Sequence, residues 1–125
     1  MNGILYGVGV GPGDPELITL KSLRLIKSTE VIAYPKLKGS NSFARNIIEQ
    51  FIDMPKDEIA IEIPMTIRRL PAQRAYDCAA KRISHYLKKG KNVVFLCEGD
   101  PFFYGSFMYL HSRLHKDYLI EIVPG

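Results

Sequence analysis

Ile4-Leu5-Tyr6-Gly7-Val8-Gly9-Val10-Gly11-Pro12-Gly13-Asp14-Pro15 stands near the start of the chain. An apolar run passes here into a loop that carries four glycines in the seven residues from Gly7 to Gly13. A strand that runs into such a loop is a hallmark of α/β folds, where ligands approach beyond the carboxyl ends of strands. Glycine permits close approach and left-handed backbone. The same glycines would also serve a plain strand-to-helix turn with no ligand.

Two familiar phosphate loops fail on spacing. The pattern G-x-G-x-x-G places its third glycine on Pro12 when counted from Gly7 and on Asp14 when counted from Gly9. A P-loop needs Lys after its last glycine, and none follows here. Asp14 sets a carboxylate where a phosphate would sit, and Pro12 lacks a backbone donor. The loop suits a neutral or cationic group.

Working outward, short apolar runs alternate with segments of helical period. Ile4 to Val10 reads as a first strand. Thr19 to Ser28 reads as a helix, with Thr19 as N-cap and Leu20, Leu23, Leu25 and Ile26 on its apolar side. Val31 to Tyr34 is a second strand, stopped by Pro35, and Pro35 to Ser42 is a loop. Ser42 to Phe51 is a helix with Phe43, Ile47, Ile48 and Phe51 on one face. Glu58 to Ile63 alternates and reads as a strand near an edge. Pro71 to Lys89 is a long helix, opened by Pro71 at its first position and closed by Gly90. Val93 to Cys97 is apolar throughout, as a central buried strand should be. Phe103 to Leu114 is a further helix and Leu119 to Val123 a fifth strand. This alternation predicts an α/β fold: an open, mostly parallel five-stranded sheet with helices on both faces.

The chain has 125 residues, enough for one core. Hydrophobic residues at 46% and charged residues at 24% are those of an ordinary soluble protein. The net charge of +4 falls short of a nucleic-acid arm and suits a polyanionic small molecule. Cys78 and Cys97 have no metal-ligand spacing and read as small buried residues of a reducing compartment. With no apolar run of membrane-spanning length and no basic-then-apolar leader, a cytoplasmic protein is expected, with neither membrane nor nucleic acid as partner. His111 and His115 are four apart, a spacing open to two metal ligands, but no third ligand is evident and no metal site is expected. Pro124-Gly125 is a turn signal after a strand. Residues 1–125 are therefore expected to be an N-terminal domain, with a C-terminal domain outside this chain.

A second glycine-bearing loop follows the central strand: Glu98-Gly99-Asp100-Pro101-Phe102-Phe103-Tyr104-Gly105. Both loops contain Gly-Asp-Pro, and both leave carboxyl ends of strands. Asp100 would also serve as a helix cap ahead of Pro101, and the aromatics as core.

Together, GVGPGDPELITLKSLRLIKSTEVIAYP and EGDPFFYGSFMYL resemble the two signature blocks of the tetrapyrrole methylase family, whose members transfer methyl groups from S-adenosylmethionine to corrin and porphyrin precursors. EGDPFFYGSFMYL and Glu62-Ile63-Pro64-Met65-Thr66 resemble the enzymes that methylate C20 of precorrin-2 or cobalt-factor II in cobalamin biosynthesis. The resemblance covers nearly the whole chain and the N-terminal half of the family's usual two domains. It implies that Pro12, Glu98, Gly99, Asp100 and Phe103 contact S-adenosylmethionine. It also implies that the tetrapyrrole lies near Gly11, Gly13 and Asp14, that the full-length protein is a homodimer, and that this half alone is inactive. In related uroporphyrinogen methylases an Asp acting as proton acceptor follows the aromatic that ends the second strand. Here Pro35 follows Tyr34, so no general base is assigned.

Methyl transfer from a sulfonium to an electron-rich carbon is a direct displacement that asks for alignment and exclusion of water rather than a nucleophilic side chain. The sequence offers no convincing Ser/His/Asp or Cys/His set. Arg68 and Arg69, with Lys36, Lys38 and Arg74, are candidate partners for the carboxylates of a tetrapyrrole, or else ordinary solvated charges. Rival expectations are another tetrapyrrole methylase of the same fold, or a non-catalytic ligand-binding or dimerisation module.

Overall fold

The computed structural model describes residues 1–11, 13–63, 69–97 and 106–124, with the side chains of residues 69–72 and 106 outside that description. Five strands form one sheet: β1 (Leu5–Gly9), β2 (Val31–Leu37), β3 (Asp57–Ile63), β4 (Val93–Cys97) and β5 (Ile120–Val123). Their order is β3-β2-β4-β1-β5, and every pair is parallel. β4 sits at the centre and is buried along its whole length. That explains its unbroken apolar run, since helices cover both of its faces.

The helices α1 (Leu20–Ser28), α2 (Phe43–Ile47), α3 (Arg69–Lys88) and α4 (Ser106–Leu114) divide between the two faces. Leu25 and Ile26 of α1 and Ala44 and Ile47 of α2 pack with Val8, Ile32, Val94 and Leu96. Tyr76, Ala79, Ile83 and Leu87 of α3 and Phe107, Leu110 and Leu114 of α4 pack with Leu5, Val31, Val93 and Phe95. The chain crosses one face on its way from β1 to β2 and β3. It returns over the other face to β4 and β5. Reversing the direction of travel while keeping right-handed crossovers requires this change of face.

Local signals account for most element ends. The Thr19 hydroxyl accepts from the Ser22 amide at 3.2 Å and caps α1, and the Ser42 hydroxyl accepts from the Arg45 amide at 3.2 Å and caps α2. Gly90 has φ +83° and closes α3, its amide donating to the Leu87 carbonyl at 3.0 Å.

Several expectations need correction. β2 does not stop at Pro35 but runs to Leu37, with Pro35 in register with Ile61 of β3. Pairing of β2 with β4 ends at Ala33, so beyond it the strand has a single neighbour, where a missing N–H is tolerated. α3 begins at Arg69, which leaves Pro71 inside its first turn rather than at its first position. α2 ends at Ile47, and Glu49–Phe51 tightens into a 3-10 turn. Leu20 is exposed rather than part of the apolar face of α1, and Phe43 is exposed on α2. Cys78 is exposed while Cys97 is buried, so only one cysteine is a core residue.

The first-loop glycines also divide. Gly7 and Gly9 lie within β1. A Cβ on Gly7 would stand 2.5 Å from the Phe107 ring, so this glycine serves helix-on-sheet packing rather than a ligand. Gly11 and Gly13, at φ +86° and +139°, are the two that bend the loop.

Candidate functional site at the carboxyl edge of the sheet

β1 and β4 are neighbours, and their outgoing connections depart to opposite faces, β1 toward α1 and β4 toward α4. A crevice opens beyond the carboxyl ends of such a strand pair. The register aligns Gly9 with Cys97, the last residues of the two strands. One residue further, the Val10 amide donates to the Cys97 carbonyl at 2.8 Å. The carboxyl ends of the two strands that precede the glycine-bearing segments therefore lie side by side.

The first loop is held from below. Ser22 of α1 is fully buried and donates its hydroxyl to the Gly9 carbonyl at 3.2 Å, while the Thr19 hydroxyl donates to Ser22 Oγ at 2.9 Å. Asp14 caps a 3-10 turn at Pro15–Leu17, its Oδ1 accepting from the Glu16 amide at 2.9 Å. A Cβ on Gly11 would find ordinary contact at 3.6 Å from the Leu17 carbonyl oxygen, so its positive φ, not crowding, demands glycine. Residues 10 to 18 carry Asp14 and Glu16 and no Lys or Arg. That donor set fits a cationic group better than an anion.

Among the residues expected to bind, Gly11, Gly13 and Asp14 stand together at this edge. Pro12, Glu98, Gly99, Asp100, Phe103 and Arg68 lie outside the described residues. Arg69 is the first residue of α3, its side chain not described, and Arg74 is exposed one turn later. Lys36 lies near the end of β2, 3.9 Å from Glu62, and Lys38 is exposed in the following turn. The imidazoles of His111 and His115 stack at 5.3 Å on α4.

A polar cluster with no sequence signal anchors α2 to the edge strand. Arg45 donates to both oxygens of Glu58, at 2.8 and 3.1 Å, and also pairs with Glu49. The Tyr34 hydroxyl donates to Glu58 Oε1 at 2.9 Å. The hydrogen bond from Arg45 holds the Glu58 carboxyl below its usual range, against the opposing effect of burial. Burial, aided by Glu58, pushes the Tyr34 phenol up to about 12. The sequence reading missed this cluster and Ser22, because partners 13 and 24 residues apart leave no local pattern.

A hollow of about 340 Å³ lies at the carboxyl ends of β2 and β3, lined by Pro35, Lys36, Leu37, Phe43, Ile63 and Tyr76 among others. A larger one, about 920 Å³, lies at the opposite end, between the last turns of α3 and α4, with Lys81, Ser84, His85, Lys88 and Arg113 around it. Only the first adjoins the loops that end β1 and β2. No helix among the described residues is long and apolar enough to cross a membrane.

Comparison with known proteins agrees with this geometry. Residues 4–125 match the family model of the Tetrapyrrole (Corrin/Porphyrin) Methylases. The chain is 41% identical to the cobalamin biosynthesis protein CobIJ of Mycobacterium tuberculosis, over 98% of this chain and 26% of that protein. It is 34% identical to the precorrin-2 C(20)-methyltransferase of a Sinorhizobium species, over 98% of this chain and 54% of that protein. The chain thus spans about half or less of the length of these curated relatives. The uroporphyrin-III C-methyltransferase of Thermus thermophilus superposes with TM-score 0.73 at 25% identity, over 100% of this chain and 48% of that one. Another structure of a Thermus thermophilus uroporphyrin-III methyltransferase, at TM-score 0.68 and 26% identity, over 98% of this chain and 48% of that one, holds S-adenosyl homocysteine. The open parallel sheet and the match over residues 4–125 place this chain in the tetrapyrrole methylase family.

Proposed function

We propose that the protein carrying this chain transfers a methyl group from S-adenosylmethionine to C20 of precorrin-2, or of its cobalt form, in cobalamin biosynthesis. The observation that carries this reading is the Val10–Cys97 hydrogen bond, which holds the carboxyl ends of β1 and β4, the strands that precede the two Gly-Asp-Pro segments of the sequence, side by side in a family member. The similarity to the Sinorhizobium and Salmonella typhimurium C20-methyltransferases, at 34% and 29% identity, supports the position methylated.

S-adenosylmethionine, when bound, supplies a methyl already activated by a positive sulfur. The work left to the protein is to bind, align and exclude water. In this reading Pro12, Glu98, Gly99, Asp100 and Phe103 hold the methyl donor. Gly11, Gly13 and Asp14 border the tetrapyrrole, and Arg68 and Arg69 pair with its carboxylates. Asp14 and Glu16, with no cation between residues 10 and 18, keep the neighbourhood favourable to a sulfonium. The lysine-free loop and Pro35 after Tyr34 agree with a reaction that relies on positioning rather than a side-chain base. In this reading the full-length protein acts in the cytoplasm as a homodimer, and residues 1–125 alone do not turn over.

The deciding experiment offers labelled S-adenosylmethionine with precorrin-2, and separately cobalt-precorrin-2, to the protein expressed from its natural open reading frame. Label on one substrate at C20 establishes the reaction and the pathway branch. Cofactor binding without transfer to either moves the substrate to another tetrapyrrole, a reading favoured by the 31% identity to a siroheme synthase of Halorhodospira halophila.

A further inference from the structure

Phe43 is the first residue of α2, and helical period would bury it with Ile47. Instead Phe43 is 53% exposed at the start of the helix while Ala44, Ile47 and Ile48 are buried. The ring reaches over the carboxyl edge to the first loop, where a Cβ built on Gly13 would stand 3.3 Å from Phe43 Cζ. Phe43 also borders the hollow of about 340 Å³, whose walls include Pro35, Leu37, Ile63 and Tyr76, with Lys36 beside them.

The helix that carries the ring is held in place. Ser42 caps the helix at its base, and one turn later Arg45 grips Glu58 of β3 with two hydrogen bonds. An exposed aromatic ring at the rim of an apolar hollow offers a ligand a flat apolar face to stack on. Its location narrows the choice of ligand: the ring stands beside Gly13 of the first loop on one side and borders a Lys-bearing apolar hollow on the other.

We propose that Phe43 is a substrate-contacting residue that sets specificity. Its exposed ring packs against the face of the tetrapyrrole macrocycle, and Lys36 meets one of the substrate's carboxylates. The inference rests on the tetrapyrrole reading above and adds a contact that neither signature loop supplies. An aromatic face suits a broad, unsaturated ring system, and an ammonium group suits its acidic side chains.

The test uses the protein expressed from its natural open reading frame, as wild type, F43A and F43W. Precorrin-2 and S-adenosylhomocysteine are titrated separately, and molecular mass and melting temperature are measured alongside. Loss of the ring face should weaken precorrin-2 binding roughly tenfold in F43A, while F43W holds it within about twofold. S-adenosylhomocysteine affinity, mass and melting temperature stay as in wild type. F43A binding precorrin-2 like wild type would overturn the assignment alone. So would a joint loss of both ligands with a changed mass or lower melting temperature, since the ring would then be packing against protein. A wild type that binds S-adenosylhomocysteine but not precorrin-2 would overturn the assignment together with the substrate reading.

Discussion

The backbone amide of Val10 donates to the carbonyl of Cys97 at 2.8 Å, across 87 residues of sequence (97 − 10). This bond extends the β1–β4 ladder one step past β1 and fixes the carboxyl ends of the two strands against each other. Everything assigned to the crevice depends on that adjacency.

Ser22 carries the first loop from beneath, so its removal should be felt there. Ser22→Ala leaves the buried Gly9 carbonyl without its hydroxyl donor and Thr19 without its acceptor. The expected cost is about 1–2 kcal/mol in urea unfolding. Hydrogen exchange at Val10 and Gly11 should speed up more than exchange in α3. Uniform acceleration across the sheet would show that Ser22 supports the whole core instead.

Gly7 has no room for a side chain. Gly7→Ala brings a Cβ within 2.5 Å of the Phe107 ring, which is fully buried and cannot swing out. Overpacking of this kind costs about 1–3 kcal/mol. Adding Phe107→Leu should recover part of the loss, as a double-mutant cycle would reveal. Simple additivity of the two changes would mean that the ring is not what the methyl meets.

Gly11 and Gly90 form a matched pair of left-handed glycines, at φ +86° and +83°. Alanine at either position should lower stability by about 1 kcal/mol. Only Gly11→Ala should also weaken precorrin-2 binding, because Gly90 sits at the far end of α3. Equal binding by both variants would remove Gly11 from the substrate wall.

The Arg45–Glu58–Tyr34 cluster makes a pH prediction. The Glu58 carboxyl is held below its usual range, so its contribution to stability is present above the unfolded carboxyl pKa and fades as pH falls through the lower folded value. Glu58→Gln should therefore unfold more easily than wild type at neutral pH, with the gap closing in acid. Tyr34, raised from 10 to about 12, acts at the other end: its contribution is lost as pH rises through that interval. A gap between wild type and Glu58→Gln that stays constant from neutral pH into strong acid would show that the carboxylate charge is not what stabilises α2.

In the proposed function Arg68 and Arg69 pair with the substrate's carboxylates. Arg68→Ala should weaken precorrin-2 binding about tenfold and leave S-adenosylhomocysteine binding unchanged. Equal weakening of both ligands would place the residue in general support of the crevice.

Local chemistry was enough to read the elements. The apolar run Val93–Cys97 declared a central strand, Thr19 and Gly90 marked helix ends, and the alternation of elements implied the parallel sheet later seen as β3-β2-β4-β1-β5. The two Gly-Asp-Pro loops were legible as a pair, and with them the family. Each of these signals is carried by residues close in sequence. What required the tertiary structure were relations between distant residues: Pro35 tolerated because β4 no longer pairs beyond Ala33, Gly7 needed because of Phe107, and Arg45 locked to Glu58. Phe43 is the sharpest case. Its spacing places it on the apolar face of a helix, but in the packed fold Ala44 and Ile47 are buried against the sheet while Phe43, at the start of α2, is left exposed. Periodicity records which residues share a face; only the packing of helix on sheet decides how far that face is covered.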